Sequence, residues 1–221
     1  MFLVALARSR FGVGKIGVFP FITHEPAKRS SVNRVAGTME TKPITSIIRD
    51  VMKLYLIEKV LPAIKKKWPR EESHLPIFIQ QDNANTHISL DDVDFQRAAL
   101  KDGFDIRLMC QPVNSPDSNV LKLRFLAAIQ SLQYKEAPKN VDEMINVVIK
   151  SFEVFPIVKS NHIFLALQLC MLEITSAKGS QQYKIPHMRK STLERTEELS
   201  TQIKYDDALI QEVVEYLNMS S

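Results

Sequence analysis

Among its 221 residues this chain has only two cysteines, Cys110 and Cys170, each in an apolar stretch. That excludes a disulfide framework and a cysteine-based zinc site, and it points to a reducing compartment. Long hydrophobic runs are missing at the start: MFLVALARSR is too short to span a bilayer, and it lacks the basic leader and small-residue cleavage site of a secretion signal. No membrane partner is expected, and the segment reads as a strand. Glycine is scarce, at six, and the one Gly-x-Gly, Gly12 to Gly14, is not followed by a helix, so it is a weak phosphate signal. Neither sign of charge dominates. Lys and Arg number 29 against 25 Asp and Glu, giving +4 and a pI near 9.0. Such mild basicity suits a polyanionic partner and equally suits a protein that binds none. No repeat or low-complexity tract is visible. What is present, 45% hydrophobic and 24% charged residues, is the make-up of a globular domain able to bury a core, with a helical appendage.

Phe2 to Ala7 and Lys15 to Thr23 are two apolar runs joined through Gly12 and Gly14, which reads as a β-hairpin. A chain that opens inside a strand hints at a truncated gene product. Residues 24–43 are polar and read as loop; Lys28, Arg29, Arg34 and Lys42 there form either a phosphate-contacting face or a solvated one. From Ile44 to Trp68 apolar residues recur at helical spacing, which predicts one long amphipathic helix bent at Pro62. Its closing Lys65, Lys66, Lys67 and Arg70 suit the helix dipole, or else a nuclear-import or DNA-backbone patch.

Ile77, Phe78 and Ile79 are a short buried-strand signal that stops at Gln80, Gln81 and Asp82. A helix is expected from about Asp91 to Asp102, capped by Asp91 or Asp92 and stopped by Gly103, and a half-buried strand follows from Phe104 to Cys110. Strand, crossover helix and strand make a parallel unit whose strands end on one edge. Asp82 is therefore placed where an open sheet collects functional groups. Ser115, Pro116 and Asp117 open a further helix to about Leu132, with residue 122 in its second turn near Asp82. Helical stripes follow at Val141 to Phe155 and Ile163 to Ile174, then a basic segment, YKIPHMRK, and a last helix over 206–218.

IFIQQDNANTH, followed by DGFDIRLMCQPVNSPDSNVLKL, resembles the catalytic core of plant mariner-like transposases, and so do EPAKRSSVNRVAGTMETKPIT, AIQSLQY and YKIPHMRK. The resemblance extends over nearly the whole chain. It implies an α/β fold: an RNase H-like mixed sheet flanked by helices, here lacking its first, central strand, with the core over 1–135 and a C-terminal helical region over 136–221. It also implies DNA as partner, with a second transposase copy, a nuclear location, and Mg or Mn ions held by an Asp-Asp-Asp triad. Two such ions stabilise the attacking and leaving oxygens of an in-line phosphoryl transfer, and hard carboxylate oxygens suit them. By the resemblance Asp82 is the second acid and a metal ligand. Asn83 and His87 complete its motif as DNA-contacting or supporting residues, with a structural role for His87 equally open.

The departures change the expectation. The family places 39 residues between its second and third acids, which from Asp82 lands on Lys122. An ammonium cannot ligate a cation and repels it. Asp117, five residues earlier, would project from a different helix face, and Asp117 to Asn119 reads DSN where the family has DLN. The strand carrying the first acid, and a helix-turn-helix region, would precede the segment that begins at Met1. The sequence thus predicts a degenerate, inactive transposase derivative with weak, non-specific DNA binding. A nuclease using substitute acids and a non-catalytic interaction module stay open as alternatives.

Overall fold

Phe2–Leu6 (β1) and Lys15–Pro20 (β2) pair antiparallel, with Phe2 opposite Pro20 and Val4 opposite Val18, as the two apolar runs require. The computed structural model describes residues 1–8, 14–32, 34–113, 115–180, 183–184 and 203–219, without the side chains at 124, 128, 132 and 133. Most of the connector containing Gly12, and the segment 185–190, lie outside those residues. The second run does not stop at Thr23. At Phe21 the N–H donates to the Met1 carbonyl (3.0 Å) and the carbonyl accepts from the Ile44 N–H (2.9 Å), so pairing passes from β1 to a new partner. Beyond it Ile22–Pro26 (β3) pairs with Met39–Pro43 (β4) over five residues.

The expected loop over 24–43 is therefore an antiparallel ribbon closed by a turn. Four of the five β3 residues are exposed, so no alternation of apolar and polar side chains marks the strand in the sequence. Cross-strand polar pairs take that role. Lys42 sits 3.2 Å from Glu25 and the Thr41 hydroxyl reaches His24, while Arg34, in the turn, pairs with Glu40.

The helix expected from Ile44 starts later, because Ile44 still belongs to the Phe21 ladder. Arg49–Tyr55 (α1) runs through a π-helical turn, Leu56–Val60, into Leu61–Lys67 (α2). Pro62 has no N–H and its ring presses on the preceding turn, and the distortion takes the form of that wider turn. Pro76–Gln81 (β5) and Asp105–Cys110 (β6) are parallel, joined through Val93–Ala99 (α3), and they end level, Gln81 opposite Cys110. Asp92 caps α3 by accepting the Phe95 N–H at 3.0 Å. The helix ends before Asp102, which adopts φ 63° ahead of Gly103 at φ 75°.

The chain is mixed α/β, in two compact units that interleave along the sequence: Met1–Cys110 with Ile129–Phe155, and Gln111–Ala128 with Pro156–Ser221. In the first, Ile16, Phe21, Leu56, Leu61, Ile77, Phe95 and Ile106 share one buried core. Among the described residues the strands form three separate two-stranded sheets rather than one mixed sheet. Val141–Val154 (α5) is capped reciprocally: Asn140 accepts the Glu143 N–H and donates to Glu143 Oε1, both at 2.8 Å. Its expected stripe buries Val148, Phe152 and Phe155.

In the second unit the helix expected from Ser115 is broken. A short 3-10 turn, Pro116–Ser118, is followed by Asn119 in extended conformation, a π-helical turn Leu121–Phe125, and Leu126–Glu136 (α4), which passes from one unit to the other. Ile157–Ser176 (α6) packs on these two turns and on the last helix, Asp207–Met219 (α7). It buries Ile163, Leu165, Leu169 and Cys170. By length and composition alone α6 could cross a membrane, a test that core helices also pass.

Candidate nucleic-acid interface

β5 ends at Gln81 and the chain turns at once. Asp82 Oδ1 accepts the Ala84 N–H at 3.2 Å, and the His87 N–H donates to the Ala84 carbonyl at 2.9 Å. The short polar side chain thus bonds its own backbone two residues on, which is how aspartate starts a turn. His87 Nδ1 lies against the Asp82 carbonyl oxygen and 3.2 Å from Asp82 Oδ1. A carbonyl has no proton to give, so Nδ1 carries the hydrogen and the ring ties the loop to its first residue. Behind it the Gln81 amide donates to the Ile88 carbonyl at 2.8 Å, and Arg49, at the start of α1, donates to the Asn85 carbonyl at 3.3 Å. The loop carrying Asp82, Asn83 and His87 is thereby fixed at the carboxyl end of a strand.

Among the described residues no three His, Cys, Asp or Glu side chains converge. Asp82 and His87 are two donors turned partly on each other.

Lys122 belongs to the second unit, exposed, in the turn after Asn119. Asn119 makes that turn: its Oδ1 accepts the Leu121 N–H at 3.0 Å, and its carbonyl accepts from Lys122 (3.0 Å) and Leu123 (3.2 Å). Residue 122 consequently stands at the start of a helical stretch, not in a second turn. Asp117 accepts the Tyr183 O–H at 3.1 Å. Burial, and then the Asp117 carboxylate, push the Tyr183 phenol up to about 12.

Of the basic residues, Lys28 and Arg29 are exposed in the turn between β3 and β4. Arg34 lies in the same turn, but it is bound to Glu40 and to the Arg29 carbonyl. The run at the end of α2 is largely spent inside the first unit. Lys65 donates to the Ala98 and Lys101 carbonyls (3.0 and 2.9 Å) and to Asp102, Lys67 donates to the Lys15 carbonyl, and Arg70 lies over the Phe104 ring. Lys65 therefore closes the carboxyl end of α3, a use that neither sequence reading included. Arg49 was also not singled out, and nothing in its spacing marks it as the brace of the Asp82 loop.

An apolar cavity of about 370 Å³, lined in part by Phe2, Pro43 and Met144, also lies in the first unit and holds no carboxylate or histidine. No family model, curated protein or solved structure matches this chain.

Proposed function

We propose that this chain is a degenerate derivative of a mariner-like DNA transposase core, with an RNase H-like ancestry, that binds DNA backbone weakly in the nucleus and does not cut it. The observation that carries the reading is the Asp82 loop. An aspartate in a DNA-x-x-H motif follows the first strand of a parallel strand-helix-strand unit, while the residue at the third-acid spacing is a lysine. The mixed α/β architecture and the antiparallel β1–β2 pair sharing a core with β5 and β6 are compatible with it. In this reading Mg or Mn ions held at Asp82 were the ancestral cofactors, and Lys122 stands at the sequence spacing of the family's third acid, where an ammonium cannot ligate a cation.

The test is direct. Purified chain with manganese and duplex DNA should leave the duplex intact, and Lys122→Asp should not start cleavage. Metal-dependent nicking by the unaltered chain would sink the proposal. Duplex binding should be indifferent to sequence and fall steeply with salt, as backbone binding does.

A reading as an interaction module has one observation of its own. Ile210, Val214 and Leu217 form an exposed apolar stripe along α7. It predicts self-association or partner capture that is lost when Val214 and Leu217 become serine.

A further inference from the structure

The ribbon over residues 22–43 is the part of the first unit with least reason to exist as packing. Its strands bury little, and the described residues of the turn, from Lys28 to Thr38, are exposed except for the half-buried Arg34. A segment so solvated is ordinarily loose. Here the turn is built.

Ala27 and Thr38 exchange a backbone bond at 2.8 Å, and the Gly37 N–H donates to the Ala27 carbonyl at 2.8 Å with φ 87°, which glycine alone adopts without strain. Ser31 and Arg34 exchange two backbone bonds, at 2.7 and 3.2 Å, and the Ala36 N–H donates to the Ser30 hydroxyl at 3.0 Å. At its root the ribbon is held by the Tyr55 hydroxyl, which receives the Ile22 N–H at 3.2 Å and donates to the Pro20 carbonyl at 3.0 Å.

Charge is sorted along this ribbon. Both acids, Glu25 and Glu40, stand on the stem and are paired there with Lys42 and Arg34. The turn itself holds Lys28, Arg29 and Arg34 and no acid. With Arg34 committed to Glu40, Lys28 and Arg29 are exposed in the same turn as Val32, at 102%, and Val35, at 72%. A hydrogen-bonded, two-stranded projection tipped with cations and small apolar side chains matches a polyphosphate groove, since the major groove of a duplex admits such a ribbon. One face of the stem carries Ile22, Pro26, Met39 and Pro43 and the other carries Glu25, Glu40 and Lys42, so the preference for a duplex over a protein surface rests on the cations of the turn.

We propose that the β3–β4 ribbon is an arm that grips duplex DNA, with Lys28 and Arg29 on backbone phosphates and Val32 against the groove wall. This rests on the DNA binding proposed above and locates it. Asp82 and its loop are not needed for the grip.

The experiment measures binding of the full chain to two short duplexes of unrelated sequence by fluorescence anisotropy over a salt series. Each phosphate contact contributes about 0.9 to the slope of log affinity against log salt. The double variant Lys28→Ala, Arg29→Ala should therefore lose about 2 from that slope, equally on both duplexes, with its thermal melt unchanged. Lys28→Arg with Arg29→Lys should keep the slope, and so should Arg34→Gln. A slope left intact in the alanine double variant overturns the arm while leaving DNA binding in place. An unaltered chain that binds neither duplex overturns both. A variant whose sole change is loss of self-association, measured by sedimentation without DNA, shows the arm to be a protein interface and also overturns the proposal.

Discussion

The ring of Tyr55 lies 4.4 Å from that of Phe21, tilted by 40°, and its hydroxyl bonds the backbone on either side of Phe21. One side chain of α1 thus holds the point at which a strand leaves β1 and continues beside β4. Phe21 faces its two ladder partners on one edge and Tyr55 closes the other.

Tyr55→Phe keeps the ring contact and removes the hydroxyl. The Ile22 N–H and Pro20 carbonyl then lose a partner in a part-buried place, which costs about 1–3 kcal/mol. Urea unfolding should show the midpoint fall without a change of slope. An unchanged midpoint would mean that water replaces the hydroxyl without loss.

Lys65 is 14% exposed at its side chain and serves three acceptors at the end of α3. Lys65→Met should lower stability by about 1–2 kcal/mol, since it removes charge-assisted bonds to helix-end carbonyls. Lys66→Ala should change it by under about 0.5 kcal/mol. The pair of denaturation curves separates an internal role from a surface one, and equal small effects would refute the internal role.

Burial works against ionisation of Asp92, but the Phe95 N–H and Lys53 outweigh it and hold its carboxyl below the usual 3.8. A depressed carboxylate contributes stability that is present above its unfolded value and lost as pH falls through the folded one. The loss therefore starts near pH 3.8 and continues below it. Asp92→Asn keeps a capping oxygen and should flatten stability against pH in that acid window. Asp92→Ala should lose about 1 kcal/mol at neutral pH as well.

Tyr183, at about 12, stays protonated in the folded chain over a range where the unfolded chain has released its proton at 10. A raised value means stability that is complete below pH 10 and lost as pH rises toward 12. Ultraviolet titration should find Tyr183 late, alongside Tyr205, which burial also raises, and Asp117→Asn should bring Tyr183 alone earlier. A Tyr183 that titrates with the exposed tyrosines would show the Asp117 contact to be absent in solution.

The parts legible in the sequence are those where one face is wet and the other dry. Ile77 and Ile106 announce buried strands, Asp92 announces a cap, and together they place the Asp82 loop at a level strand edge. The β3–β4 ribbon was not legible because its strands are mostly polar and β3 is largely exposed, which leaves the period of two too weak to stand out. The break at Asn119 was hidden for another reason. Pro116 and Asp117 are good opening residues, yet an asparagine three positions on competes for the same backbone groups and restarts the helix after itself. The role of Lys65 depends on carbonyls more than thirty residues away, which local spacing does not encode.

Among the described residues β1–β2, β3–β4 and β5–β6 are three separate ladders, the first two joined at Phe21, whose N–H and carbonyl bond Met1 and Ile44. Buried side chains such as Ile16 and Ile77 couple the first and third pairs through one core. Amide exchange should accordingly resolve into separate classes, fastest in the β3–β4 ribbon and slowest where Ile77 and Ile106 are buried.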